Sequence, residues 1–467
     1  MNFLQNLVAQ TNNLLWSFIL IIMLIGLGLF FSYKLKFVQF RYLKEMFSLL
    51  GKSAVNKSKH SEGISSFQAF CISTASRVGT GNLAGVAIAI SLGGPGAIFW
   101  MWLIALIGGA SSFVESTLAQ IFKVKNKDGY RGGPAYYMEK GLNKRWMGIL
   151  FSILITICFG LIFNSVQSNT ISLAFKEAFG MDTHLTGIIL TILTASVIFG
   201  GVQRIAKVTE IIVPVMAIAY VLIALFVIGK NISLIPSVFK LIFENAFGFN
   251  EIVGGTLGGA IMLGIKRGLF SNEAGMGSAP NAAATAEVEH PIHQGLIQTL
   301  GVFTDTILIC SATAFIILLS GVYTNQNLTG IQLTQNALSS QVGSWGNIFI
   351  AICIFLFAYS SILGNYYYGE SNIEFIKTNR LWLIIYRLFV VIMVMVGSIL
   401  QIQIVWDMAD LFMGLMAILN LIAIALLSKI VFKTLKQYEE QKANGQPIKF
   451  DPKKIDCLKD KNLDCWK

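Results

Sequence analysis

Apolar positions in this chain do not alternate with polar ones; they run almost unbroken for about 20 residues at a time, the length that crosses a hydrocarbon core of about 30 Å as helix. The runs are Leu14–Phe31, Ile98–Gln120, Ile149–Ala174, Ile211–Ile228, Gln298–Gly321, Ile348–Leu363, Leu383–Gln401 and Leu411–Leu427. Barrel strands would be shorter and polar on one face. Three less apolar, Gly-rich segments, Phe67–Leu92, Leu185–Gly200 and Ile252–Ala286, have the same reach. Together they predict an all-α, polytopic membrane protein of about 11 transmembrane helices. No cleavable signal is expected, because Leu14–Phe31 follows a polar leader without a basic region.

After the first helix, two blocks of about five spans each can be drawn, and an odd number per block makes the second run inverted. The boundaries are 1–63 for the first helix and a basic loop, 64–229 for the first block, 230–250 for a connection, 251–430 for the second block and 431–467 for a tail. The opening helix of each block is interrupted, by Arg77-Val78-Gly79-Thr80-Gly81-Asn82 and by Gly268-Leu269-Phe270-Ser271-Asn272-Glu273-Ala274-Gly275. Glycine costs about 1 kcal/mol against alanine inside a helix, so such clusters at membrane depth predict unwound backbone. Irregular backbone survives there only where protein or a cavity satisfies it. Paired interruptions in two halves therefore point to a transport site near the midplane. Gly254, Gly255, Gly258 and Gly259 fit simple close packing of helices instead.

Composition agrees: 55% of residues are hydrophobic, only 13% are charged, and the mean hydropathy is +0.67. The net charge of +11 sits in particular loops. Lys34, Lys36, Arg41, Lys44, Lys52, Lys57 and Lys59 follow the first span; Lys123, Lys125, Lys127, Arg131, Lys140, Lys144 and Arg145 follow the third; Val322–Trp345 has no charge. The positive-inside rule then places the N-terminus outside and the tail in the cytoplasm. Basic residues flanking spans argue against nucleic acid as a partner. Cys71, Cys158, Cys310 and Cys353 lie in apolar spans as small packing residues, and Cys457 and Cys465 in a plain tail.

The breaks suit a zwitterion. A half-helix starting near Gly81 offers free N–H groups and a positive dipole end to a carboxylate. One ending near Val78 leaves carbonyls free for an ammonium group or a hard cation. The Thr80 hydroxyl adds a donor.

Here the residues resemble a known family. Ser66–Val86 (FQAFCISTASRVGTGNLAGV after its first Ser), Gly94–Tyr137 (GPGAIFWMW through YRGGPAYY) and Gly264–Pro280 (GIKRGLFSNEAGMGSAP) are similar to motifs of the alanine/glycine:cation symporter family. So are the HP, LGVFTD and YYYGE segments near His290, Leu300 and Tyr366. The resemblance covers most of 30–430. It implies a LeuT-type 5+5 inverted repeat with one extra N-terminal helix, and sodium-coupled uptake of a small neutral amino acid by alternating access, alanine or glycine first. It further implies a sodium site at the carbonyls of Ala75, Val78 and Phe357 with the hydroxyls of Ser360 and Ser361. The substrate would meet Gly79, Thr80, Gly81 and Asn82 from the first break, Phe270, Ser271 and Ala274 from the second, and Gln167 from the run FNSVQSNT. One departure stands out: Gly364-Asn365 replaces the family's Gly-Trp. Asn365 leaves room and adds hydrogen-bond capacity where Trp would cap the pocket, which brings glutamine or another polar neutral amino acid into play.

Ionisable residues inside membrane spans are costly and usually functional. Arg77, Glu115, Lys266, Arg267, Glu273 and Asp305 form that set. Arg77 and Glu273 flank the breaks as a gating or a structural ion pair, and Asp305 with Thr304 and Asn82 is a candidate second cation site. Pro134 and Tyr136–Tyr137 read as a short interfacial segment, and His290 and His293 with Glu287 and Glu289 as a solvated loop. A channel lacks its repeated filter, and an enzyme its HExxH motif, nucleophile–base pair or Cys/His cluster. Proton coupling on the same fold stays open. The expected partners are the amino acid, Na+ and membrane lipid, with no cofactor, and the chain is expected to be monomeric.

Overall fold

The computed structural model describes residues 2–55, 64–126, 129–248, 257–325 and 327–466; Lys57, Lys59, Lys127, Gly254 and Gly255 lie outside them. Among the described residues, eight helices are long and apolar enough to span a membrane. They are α1 (Asn6–Lys34), α4 (Ala97–Ile121), α5 (Arg145–Phe179), α7 (Gln203–Lys230), α10 (Pro291–Ser320), α11 (Trp345–Ile376), α12 (Arg380–Ile399) and α13 (Gln403–Ala443). Each contains all or most of one of the eight apolar runs. The Gly-rich segments are helical too: α2 (Ser66–Arg77) with α3 (Gly81–Gly93), the 16-residue α6 (Thr183–Ile198), and α8 (Leu257–Asn272) with the short α9 (Ala279–Ala283). The only described strands are the antiparallel pair Val124–Asn126 and Gly129–Arg131.

Burial sorts the helices by neighbour. In α1, α7 and α12 only 33%, 28% and 28% of the most apolar window is buried, so their outer Leu, Ile and Phe side chains face lipid. In α4, α10 and α11 the figure is 67%, and these pack around the two broken elements. α4 lies against α10 and α8, and α5 against α11 and α12. Close approach of α8 to α4 depends on two glycines. A Cβ on Gly268 would stand 2.7 Å from Ile104 Cγ2, and one on Gly264 would stand 2.6 Å from Trp100 Cβ. Gly258, expected to serve such packing, has open space around it; the contact lies lower on the helix.

Three segments are more ordered than their composition suggested. Tyr137 is fully buried in a helix, Pro134–Lys140, and its hydroxyl donates to Asn420, so this segment is core rather than interfacial. The tail is docked rather than plain. Phe450 N–H donates to Glu289 O (3.0 Å), Lys140 pairs with Asp464 (2.7 Å), and Trp466 Nε1 donates to Gln120 O (2.9 Å). His290 is buried, not solvated, because the tail's Phe450 and α13's Tyr438 cover its ring.

Burial pushes the His290 imidazole down from its ordinary 6.5 to about 3, with His293 adding repulsion. Folded His290 thus stays neutral where the unfolded chain would bind a proton. The stability it permits is present above pH 6.5 and is lost as pH falls toward 3. Thermal unfolding in detergent is expected to drop between pH 7.5 and pH 5, and His290→Asn, which can still cap α10, to flatten that dependence.

Candidate functional site

The first break begins where α2 stops. Ser65 and Gln68 cap its start reciprocally. Its end is set by Val78, whose φ of −79° and ψ of 91° leave the helix. From there the backbone turns its polar groups onto side chains of other helices. Ser361 Oγ of α11 donates to Ala75 O (2.7 Å) and lies 3.4 Å from Val78 O and 3.0 Å from Phe357 O. Three carbonyls and one hydroxyl therefore converge. Gly79 N–H donates to Asn82 Oδ1 (2.9 Å). Thr80 N–H and Thr80 Oγ both donate to Gln167 Oε1 of α5, at 3.0 and 2.7 Å. Two donors of one residue on one oxygen is the arrangement a carboxylate oxygen would take. Glycine is needed at 79 and 81: a Cβ at 79 would lie 2.9 Å from Gln167 Oε1 and overlap Ser361 Oγ, and one at 81 would lie 3.0 Å from Phe270.

The second break is built on positive φ angles, 57° at Glu273, 84° at Gly275 and 88° at Gly277. Glu115 of α4 holds it open by accepting Gly275 N–H and Gly277 N–H, each at 3.1 Å, while Asn420 of α13 donates to Glu115 (2.7 Å) and to Gly275 O (2.9 Å). Glu115 is thus a structural clamp on unwound backbone. Asn420 was absent from the expected residues, although a lone Asn in the apolar run Leu411–Leu427 is a signal of this kind.

The two breaks meet through buried polar side chains. Asn82 Nδ2 donates to Asp305 Oδ1 of α10 (2.7 Å), and Ser271 Oγ donates to Asp305 Oδ2 (2.8 Å). Thr306 completes this group at 2.9 Å; Thr304, the expected partner, bonds back to Leu300 O instead. Phe270 lies between Phe163 and Trp406, with ring centroids 4.5 and 4.7 Å away. Beyond it Arg267 covers Trp406 at 4.4 Å and pairs with Asp410 through two oxygens (2.7 and 2.6 Å), with Lys266 on the same carboxylate at 3.1 Å.

The structure thus brings together Gly79, Thr80, Gly81, Asn82, Gln167, Phe270 and Ser271, and separately Ala75, Val78, Phe357 and Ser361. It does not bring Ala274 to them, and Ser360 meets the second group through Phe357 O rather than through Ala75 or Val78. Successive residues on a helix differ by about 100°; Ser360 therefore turns away from Ala75 and Val78 and bonds Phe357 O (2.9 Å) beside Met216. Ala274 packs with Ala105 and Val302 between α4 and α10. Nor do Arg77 and Glu273 pair. Arg77 donates to Gln298 O (3.2 Å), while Glu273 accepts Ser76 Oγ (2.8 Å) and Ser278 Oγ (2.5 Å). Asn365, one turn beyond Ser361, sits 2.7 Å from Ser76 Oγ.

Two interrupted helices that join at mid-bundle, inside a polytopic helical scaffold, define a secondary transporter of the inverted-repeat class. The fold is shared with MhsT, solved in complex with L-phenylalanine, at a TM-score of 0.55 and 15% identity over 79% of this chain and 90% of that one. The chain belongs to the sodium:alanine symporter family, whose model matches residues 1–452. It is 58% identical to the probable sodium/glutamine symporter GlnT of Bacillus subtilis (strain 168), over 99% of this chain and 96% of that one. It is 56% identical to the amino-acid carrier protein AlsT of the same organism, over 100% and 98%. The protein is a sodium-coupled amino-acid symporter, not an enzyme.

Proposed function

We propose that this symporter takes up a small neutral amino acid with Na+, binding the zwitterion across the two breaks. The observation that carries the reading is the convergence of Thr80 N–H and Thr80 Oγ on Gln167 Oε1. Donors aimed at an acceptor, fed by the start of α3, suit a carboxylate. Gln167 holds that place in the closed arrangement and gives it up, or shares it, when substrate enters. Alanine fits by the family's description, glycine as a still smaller neutral zwitterion, and glutamine by the name of the GlnT relative.

Na+ is assigned to the carbonyls of Ala75, Val78 and Phe357 with Ser361 Oγ, a hard all-oxygen set. The Ser361 hydroxyl then turns its proton outward and offers a lone pair. A neutral zwitterion carries no net charge, so the ion supplies the drive: about 2.3 kcal/mol per 100 mV, plus about 1.4 kcal/mol for a tenfold gradient, supports roughly 500-fold accumulation at one-to-one coupling. We place the protein in the cell membrane with its N-terminus outside and the basic loops and tail in the cytoplasm, on the distribution of Lys and Arg. In that orientation 64–229 and 251–430 are the inverted repeats, α6 and the two broken elements complete about 11 spans, and the chain works as a monomer in lipid.

The test is Na+ activation of uptake in proteoliposomes. Ser361→Ala is expected to raise the half-saturating Na+ concentration about tenfold, the ratio about 1.4 kcal/mol for a lost ligand gives. Ser360→Ala, whose hydroxyl bonds Phe357 O but neither Ala75 O nor Val78 O, should change it less than about twofold. Equal effects of the two, or none, would remove the assignment.

A further inference from the structure

Between the two breaks lies a polar group that neither the zwitterion nor Na+ uses. Glu273 is 1% exposed and has a φ of 57°, a left-handed backbone conformation that is strained for a non-glycine residue and is retained mainly at functional sites. Its carboxylate accepts Ser76 and Ser278, one on each oxygen, and each oxygen keeps a further lone pair. Asn365 is fully buried, its Oδ1 is 2.7 Å from Ser76 Oγ, and its Nδ2 has no partner. Turning that amide over only exchanges which of the two atoms is unpartnered. Tyr368, on the same helix and also fully buried, brings its hydroxyl beside Ser76 and Glu273.

We propose that Glu273, Asn365 and Tyr368, assembled around Ser76, form a side-chain subsite that reads a carboxamide, so that among neutral amino acids this chain selects glutamine. The proposal rests on the zwitterion being held at the breaks as argued above. Asn365 follows Ser361 by four residues, which places it about 6 Å along α11, within reach of a side chain that starts beside Thr80 and Ser271. Glu273 reaches the same point from two residues past Ser271. A carboxamide offers two N–H donors and one acceptor oxygen. Glu273 takes the donors, and Asn365 Nδ2 or the Tyr368 hydroxyl takes the oxygen. Alanine would leave these buried groups unpartnered, and glutamate would bring a second carboxylate against Glu273. Sites built to hydrogen-bond a substrate group discriminate against analogues lacking it far more strongly than apolar pockets do.

The test is uptake of labelled glutamine and labelled alanine into the same proteoliposomes under an inward Na+ gradient, with unlabelled asparagine, glutamate and glycine as competitors. Glutamine is expected to be preferred over alanine by at least about tenfold, with glutamate competing weakly. Asn365→Leu and, separately, Tyr368→Phe should lower the glutamine-to-alanine ratio, which does not depend on how much protein folds, and Glu273→Gln should admit glutamate. Na+-driven alanine uptake with no glutamine preference would overturn the subsite and leave the symport reading standing. An unchanged ratio in both variants would overturn the residue assignment. Absence of Na+-driven uptake of either amino acid by the intact protein would instead defeat the symport reading, and the subsite with it.

Discussion

Gly79→Ala is expected to abolish Na+-driven uptake in proteoliposomes while the protein still purifies as a folded membrane species. One methyl group is enough because position 79 is where two functional side chains meet the backbone. Its Cβ would overlap Ser361 Oγ, which bridges the Ala75 and Val78 carbonyls, and stand 2.9 Å from Gln167 Oε1, which holds the Thr80 donors. The proposed ion site and carboxylate site are pushed apart together. The backbone at 79 is not in the left-handed region, so alanine adds no conformational strain and the loss is local. Overpacking costs about 1–3 kcal/mol, small for a scaffold of this size but enough to displace ligands that must sit within about 0.5 Å. Gly51→Ala, at a glycine with nothing within 4 Å, is the control and should transport normally.

The second large effect is expected at Asp410. This carboxylate, 3% exposed, neutralises both Arg267 and Lys266, which are 3% and 9% exposed. Asp410→Asn takes the direct ion-pair partner from two buried cations, and breaking a buried pair from one side costs about 3–5 kcal/mol. A clear fall in detergent thermal stability and in yield is predicted. Replacing Lys266 and Arg267 by Met along with Asp410→Leu should recover much of the stability, since a well-packed apolar group can replace an ion pair. Transport should not recover with it, because Arg267 also covers Trp406 and, through it, the Phe270 side of the site.

Much of this architecture is legible in the residues, for a physical reason. Hydrocarbon length and the ban on unpaired backbone in lipid are one-dimensional constraints, so the eight long runs and the two Gly-Asn interruptions appear directly along the chain. What is hidden depends on rotation and on partners distant in sequence. Ser360 and Ser361 are neighbours in the chain, and only the turn of α11 decides that Ser361 meets Ala75. Asp410 stands at the edge of an apolar run, and its partner Arg267 is 143 residues away. The same holds for Glu115, which clamps Gly275 and Gly277 across 160 and 162 residues. Arg77 and Glu273 flank the breaks as an obvious pair in sequence, yet Glu273 bonds Ser76 and Ser278 at short range and Arg77 turns to Gln298 O. Packing glycines show the same limit: Gly264 and Gly268, rather than Gly258, face α4, a matter of helix rotation that composition does not encode.

The central claim is that the paired breaks couple Na+ to amino-acid entry. Its most direct test is uptake by the unaltered protein in proteoliposomes under two opposed conditions. One is an inward Na+ gradient at equal pH on both sides; the other is an inward proton gradient with Na+ absent. The oxygen set around Ser361 predicts accumulation in the first and none above equilibration in the second. Accumulation driven by protons alone, indifferent to Na+, would contradict it and would turn attention to the buried carboxylates of Glu273 and Asp305.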